Sequence, residues 1–205
     1  MGVKTKKPTL IEEVRRKQVI DTAIQVVSSQ GFDRTTLGDI AKMADVSTGV
    51  LTYHFKNKAE LLDECIKALF EAPNAYVVDK VDMQLLYREK IRMYIRSNVE
   101  FMIGHRAHVA AMVHSFGWLN ADETKSTISV RQHTKIRNYL IRIVEGGQKA
   151  GEFNQSVPAP TMAQLILASL EGIMVQWILN EKAVDLPLYA DELVTMVHGQ
   201  LLVVS

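Results

Sequence analysis

Apolar positions recur along this chain at intervals of three and four almost from end to end, the spacing of amphipathic helices. No stretch shows the sustained alternation of a half-buried strand. The first helix is expected over roughly residues 10–30, with Ile11, Val14, Ile20, Ala23, Ile24 and Val27 at helical spacing. Gly31 stands where a left-handed helix end is expected, and Phe32 is placed to fold back on the core. Thr36 caps a short second helix, with Asp39 three residues on in a near capping box. Ser47 caps a third, and Asn57 with Glu60 a fourth. The run Glu71-Ala72-Pro73-Asn74 predicts a break in that fourth helix. Further helices are expected near 83–103, 105–119, 122–146, 159–179 and 188–203, with Gly146, Gly147 and Gly151 punctuating the longest. Pro158, Pro160 and Pro187 suit first-turn positions.

The second and third helices make a recognisable pair. Leu37, Ile40, Ala41 and Ala44 form one apolar face, and Val46, Leu51 and Phe55 continue it. Leu51 and Phe55 lie four apart and share the inward side of the third helix. Thr48, Gly49, Thr52 and Tyr53 are left outside. In a helix-turn-helix the first residues of the second helix reach base edges in the major groove. Thr hydroxyls can donate or accept there, and the Thr methyl can touch a thymine methyl. Gly49 lets the backbone approach closely. Val50 is placed to add an apolar contact, and Thr36, Tyr53, His54, Lys56 and Lys58 fall where phosphates flank the groove. The bland alternative is that Thr36, Ser47 and Asn57 act only as caps and His54 is an idle surface residue.

Charge sharpens the first reading. The 205 residues carry a net charge of only +1, but residues 1–58 hold 10 Lys and Arg against 6 Asp and Glu, and the remainder holds 14 against 17. A basic head on an acidic body fits local binding to a polyanion. The basic arm with Lys4, Lys6 and Lys7 is placed to add phosphate or minor-groove contacts and is expected to be flexible. Cys65 is the single cysteine, so no intrachain disulfide can form, and its apolar setting marks it as a small buried hydrophobe. No run approaches 18 consecutive apolar residues, so no membrane span is expected, and the chain is assigned to the cytoplasm.

The segment from about Ile11 to Phe70 resembles the N-terminal domain of the TetR family of bacterial transcriptional regulators. The resemblance is carried by Gly31-Phe32, Thr35-Thr36, Asp39-Ile40-Ala41, Ala44, Val46-Ser47, Gly49, Leu51, His54-Phe55 and Lys58 with Leu61-Leu62. It implies an all-α chain: a helix-turn-helix DNA-binding domain over 11–70 (motif about 36–55) and a helical effector-binding and dimerisation domain over 71–205. It places Thr35, Thr36, Ser47, Thr48, Gly49, Tyr53, His54 and Lys58 at double-stranded operator DNA; Thr52 joins them from its position on the helix. It further implies a homodimer through the last two helices, and repression relieved by a small molecule. Two positions depart from the family. Asp45 replaces the usual turn Gly, which Asp tolerates because it accepts left-handed backbone. Thr52 stands where Tyr is frequent, so operator preference does not carry over.

Leu165, Ile166, Leu170, Ile173, Met174, Trp177 and Ile178 give one late helix a wide apolar face, and Leu193, Val194, Met196, Val197, Leu201 and Leu202 another. Part of each must be core and part is expected between chains. Met102, His105, His108, Met112, His114, Trp118, Tyr139, Met174 and Trp177 are the candidate pocket residues, each weighed against a plain core role. His105 and His108 lie three apart, but no Cys or carboxylate completes a metal site, and no cofactor is expected. Arg131, Lys135 and Arg142 read as a solvated face. A ligand-responsive repressor is the leading function. An effector-independent or activating DNA-binding protein is the alternative. A helical enzyme lacks a phosphate loop, nucleophile elbow or ligand quartet.

Overall fold

A computed structural model describes residues 9–81, 85–119 and 123–202, without side-chain placement for 123–129. The basic arm with Lys4, Lys6 and Lys7 lies outside the described residues. Among the described residues nine α-helices run in order: α1 Leu10–Arg34, α2 Leu37–Met43, α3 Thr48–His54, α4 Lys58–Lys80, α5 Tyr87–Gly104, α6 Arg106–Leu119, α7 Glu123–Lys149, α8 Ala159–Leu179 and α9 Leu186–Leu201. Among the described residues the only extended pairing is one bridge between Phe153 and Leu202.

The caps predicted at Thr36, Ser47 and Asn57 form, and Thr9 adds one the sequence reading did not name. Thr9 and Thr36 make full capping boxes with Glu12 and Asp39, while Ser47 and Asn57 accept from the N–H groups of Val50 and Glu60. Gly31 takes positive φ (78°), the chain kinks there, and Phe32 is buried. Asp45 takes φ 52°, so the departure from glycine keeps the turn. Ile11 and Val14, expected on the inner face of α1, are instead 81% and 61% exposed. The inward stripe of α1 begins only at Val19.

Two apolar cores form. One joins Val19, Val27, Phe32, Ile40, Leu51, Phe55 and the first half of α4 to Ala111 and Leu119 of α6. The other gathers α5, α7, α8 and α9 around Ile91, Ile95, Leu140, Ile166 and Leu201, and takes Val77 from the second half of α4. Helix α4 thus runs from one core into the other. Cys65 is buried in the first, and burial pushes its thiol up to about 12.

Two expectations are corrected. α4 does not break at Pro73 but continues to Lys80. Proline removes the N–H that would reach the Leu69 carbonyl, and the imidazole of His108, from α6, donates to that carbonyl at 3.0 Å instead. Gly146 and Gly147 lie inside α7 and do not end it; the turn comes at Gly151, with φ 75°. A Cβ on Gly147 would stand 2.2 Å from the Phe153 ring, so that glycine is set by space. Helix α8 has the length and hydropathy of a bilayer-crossing helix, its best window averaging 1.5, although it lacks an unbroken apolar run. In the fold 44% of that window is buried, and Ile166, Leu170, Ile173, Met174 and Trp177 face the chain's own core. Leu193, Val194, Val197 and Leu201 of α9 do the same. The outward faces are Leu165, Ala168, Gly172 and Leu179 on α8 and Leu188 and Met196 on α9.

Candidate nucleic-acid interface and effector cavity

Helix α3 is one of the shortest in the fold, seven residues, and only Leu51 of it is buried. Leu51 and the following Phe55 anchor it from below and leave Ser47, Thr48, Gly49, Thr52 and Tyr53 exposed. Val50 and His54 are half-buried. Thr52 donates its hydroxyl to the Gly49 carbonyl at 3.1 Å and keeps its oxygen lone pairs outward. A Cβ at Gly49 would meet only the Ser47 hydroxyl, at an ordinary 3.5 Å, so the free protein does not need glycine there. Close approach by another molecule would.

A residue that the sequence reading passed over holds this helix in place. Arg16 of α1 donates to the His54 carbonyl at the end of α3 and lies 4.2 Å over the Phe55 ring. It also meets Glu60 and Glu64 of α4 at 3.6 and 3.8 Å. One guanidinium thus ties α1, α3 and α4 together. Its only sequence signal is a basic residue one turn before Val19 and Ile20, in line with the inward stripe of α1.

Thr35, expected at the DNA, is not presented at the surface. It is fully buried and donates its hydroxyl to the Gly31 carbonyl at 2.7 Å, closing the kink between α1 and α2. Thr36 is exposed, but its hydroxyl and N–H both bond the Asp39 carboxylate. These bonds, with one from Gln30, hold Asp39 below the usual carboxylate range. Lys58 is half-buried with its ammonium 3.4 Å from the Asp33 carbonyl. Lys56 is exposed beside it.

Tyr53 is 72% exposed, and its hydroxyl donates to Glu12 at 2.7 Å. That bond and the Glu12 charge raise the Tyr53 pKa. Phosphate at Tyr53 must displace a carboxylate. Glu12→Gln is therefore expected to tighten DNA binding about fivefold at moderate salt, by removing one like-charge neighbour of the backbone. Equal or weaker binding in a salt titration would mean that Glu12 instead holds Tyr53 in its binding pose.

Behind the head, a cavity of about 90 Å³ opens between α4, α5, α6, α7 and α8. Met102, His108, Met112 and Met174 line it as expected. The five other candidates do not. His105 is exposed, stacks on Phe101 at 4.2 Å and bonds its carbonyl. Trp118 stacks on Phe32 at 4.9 Å in the first core. Trp177 is buried in the second core, and Tyr139 packs 6.1 Å from Tyr94. His114 is exposed near Gly31. The His105 and His108 rings bond different carbonyls, those of Phe101 and Leu69. The sequence reading missed Phe70, Tyr94, Phe101, His133 and Glu171, which also line it. Their helices carry apolar residues on several faces, so nothing local marks the side turned to a cavity. Burial lowers the pKa of His108, which therefore favours the neutral imidazole that donates to Leu69.

Comparison with known proteins matches both halves of the chain. The family model "Bacterial regulatory proteins, tetR family" covers residues 19–65, and "Tetracyclin repressor-like, C-terminal domain" covers residues 85–198. The "Fatty acid metabolism regulator protein" of Bacillus subtilis (strain 168) is 23% identical over 175 residues, 82% of this chain and 86% of its own. The "HTH-type transcriptional regulator TtgR" of Pseudomonas putida is 28% identical over 185 residues, 83% of each. A crystal structure of a transcriptional regulator from Saccharomonospora viridis in complex with choline superposes with a TM-score of 0.83 at 15% identity, over 94% of this chain and all of the other.

Proposed function

The chain belongs to the tetR family of bacterial regulatory proteins and is a DNA-binding transcriptional regulator, and from that premise we propose a homodimeric repressor that leaves its operator when a small molecule fills the cavity. The heads would bind two half-sites about one helical turn apart, with Ser47, Thr48, Gly49 and Thr52 toward base edges and Tyr53, His54 and Lys58 toward phosphates. The pairing surface in this reading is the outward stripe of α8 and α9, from Leu165 to Leu179 and from Leu188 to Met196. Both domains of this division, 11–70 and 71–205, share α4.

The observation that carries the effector reading is the path of α4. It begins at the proposed phosphate contact Lys58, forms part of the head core, and then gives Phe70, Pro73, Asn74 and Val77 to the cavity wall. At Pro73 its backbone lacks one helical bond, and the replacement comes from His108, another wall residue. A molecule that moves His108 leaves the Leu69 carbonyl unbonded, at a cost of about 1–3 kcal/mol. A shift of that size is in the range that couples two sites by tenfold to a hundredfold.

His108→Phe tests this coupling. It is expected to speed hydrogen exchange in α4 around residues 69–77 and to change operator affinity about tenfold without any effector. Unaltered exchange and unaltered affinity in a folded variant would uncouple the cavity wall from the head.

A further inference from the structure

The cavity has an electrostatic sign. Its only carboxylate is Glu171 of α8, and no Lys or Arg lines it among the described residues. His133 of α7 meets one Glu171 oxygen at 3.2 Å, and no other described side chain ion-pairs with that carboxylate. The walls beside it are aromatic. Phe70 meets the His133 ring edge-on at 5.2 Å. Tyr94 is buried close enough to Glu171 for that charge to help raise its pKa, although burial is the larger cause. Phe101 adds a third ring. The second histidine, His108, has its pKa lowered by burial and already donates to the Leu69 carbonyl.

We propose that this cavity binds a small organic cation, an amine or quaternary ammonium of only a few carbons, with its charge against Glu171 and the ring faces of Phe70, Tyr94 and Phe101. An ammonium over aromatic faces is attracted by the ring quadrupoles, here beside a Glu171 side chain that stays 38% exposed. An anionic ligand of the same shape would bring a second negative charge beside Glu171 with no Lys or Arg among the described lining residues to answer it. A volume of about 90 Å³ admits a compact headgroup and not a long chain. The assignment rests on reading this cavity as the effector site, but its sign can be tested separately.

Three molecules of matched shape serve as probes: choline, its neutral carbon isostere 3,3-dimethylbutan-1-ol, and the anion 3,3-dimethylbutanoate. Calorimetric titration of the full-length dimer is expected to give choline at least tenfold tighter than the alcohol, with no binding of the anion. Glu171→Gln should weaken choline at least tenfold and leave the alcohol unchanged, and Phe101→Leu should weaken choline more than the alcohol. Equal binding of alcohol and choline, tighter binding of the anion, or no binding of any of the three overturns the proposal. So does an unchanged choline affinity in Glu171→Gln. Choline that binds through Glu171 but leaves operator affinity untouched keeps the charge assignment and removes the effector reading.

Discussion

A double variant, Leu165→Glu with Met196→Glu, is expected to be a folded monomer that has lost at least about a hundredfold in operator affinity. Both side chains stand mostly in solvent, 56% and 68% exposed, so neither charge enters the core of one chain. Leu165, Ala168, Gly172, Val175 and Leu179 repeat at alternating intervals of three and four, the seam of a helix that packs on another. Two glutamates per chain put four charges at a two-fold interface, and unpaired buried charges cost several kcal/mol each. Once the heads separate, the second half-site no longer binds intramolecularly, and an effective concentration worth about 10²–10⁴ is lost. Sedimentation at micromolar concentration, a melting curve and an operator titration read the three parts. A variant that stays dimeric places the interface elsewhere. The same charge at Ile173 or Trp177 is expected to unfold the chain instead, since these side chains are only 8% and 6% exposed.

Gly147→Val is expected to be the most damaging single substitution outside the head. The branched side chain would begin 2.2 Å from the Phe153 ring. Phe153 cannot retreat: it is 1% exposed, and its N–H and that of Glu152 both bond the Gly147 carbonyl. Asn154 then ties the same turn to Leu201 of α9 at 2.7 Å. Overpacking of this kind costs roughly 1–3 kcal/mol or more, which in a chain of this length lowers Tm by about 3–12 °C. A melting temperature within about a degree of the parent would show that the turn yields easily.

The head was legible because its signals are local. Thr36 with Asp39, Ser47 ahead of α3, Asn57 with Glu60 and the Leu51–Phe55 pair are each settled within four residues of chain. The errors came where a partner lies far away. Pro73 reads as a helix end until His108, thirty-five residues on, supplies the missing bond. Trp118 looks like a pocket wall, yet it stacks on Phe32, across 86 residues of sequence. Thr35 matches the family pattern beside Thr36, but the kink at Gly31 turns it inward. Helix α8 is apolar on most of its circumference, so its pattern could not divide core from outward face. The cavity suffered most: five of nine candidate lining residues turned elsewhere, and Glu171, the lone charge of an otherwise apolar α8, carries no local sign of the side it faces.

The central claim, a two-headed reader of DNA, is tested most directly by selecting bound duplexes from a random pool at moderate salt and sequencing them. The account predicts a two-fold symmetric motif whose half-sites lie about one helical turn, or a multiple of it, apart. A folded, dimeric protein that enriches no motif, or only a single asymmetric half-site, would contradict it.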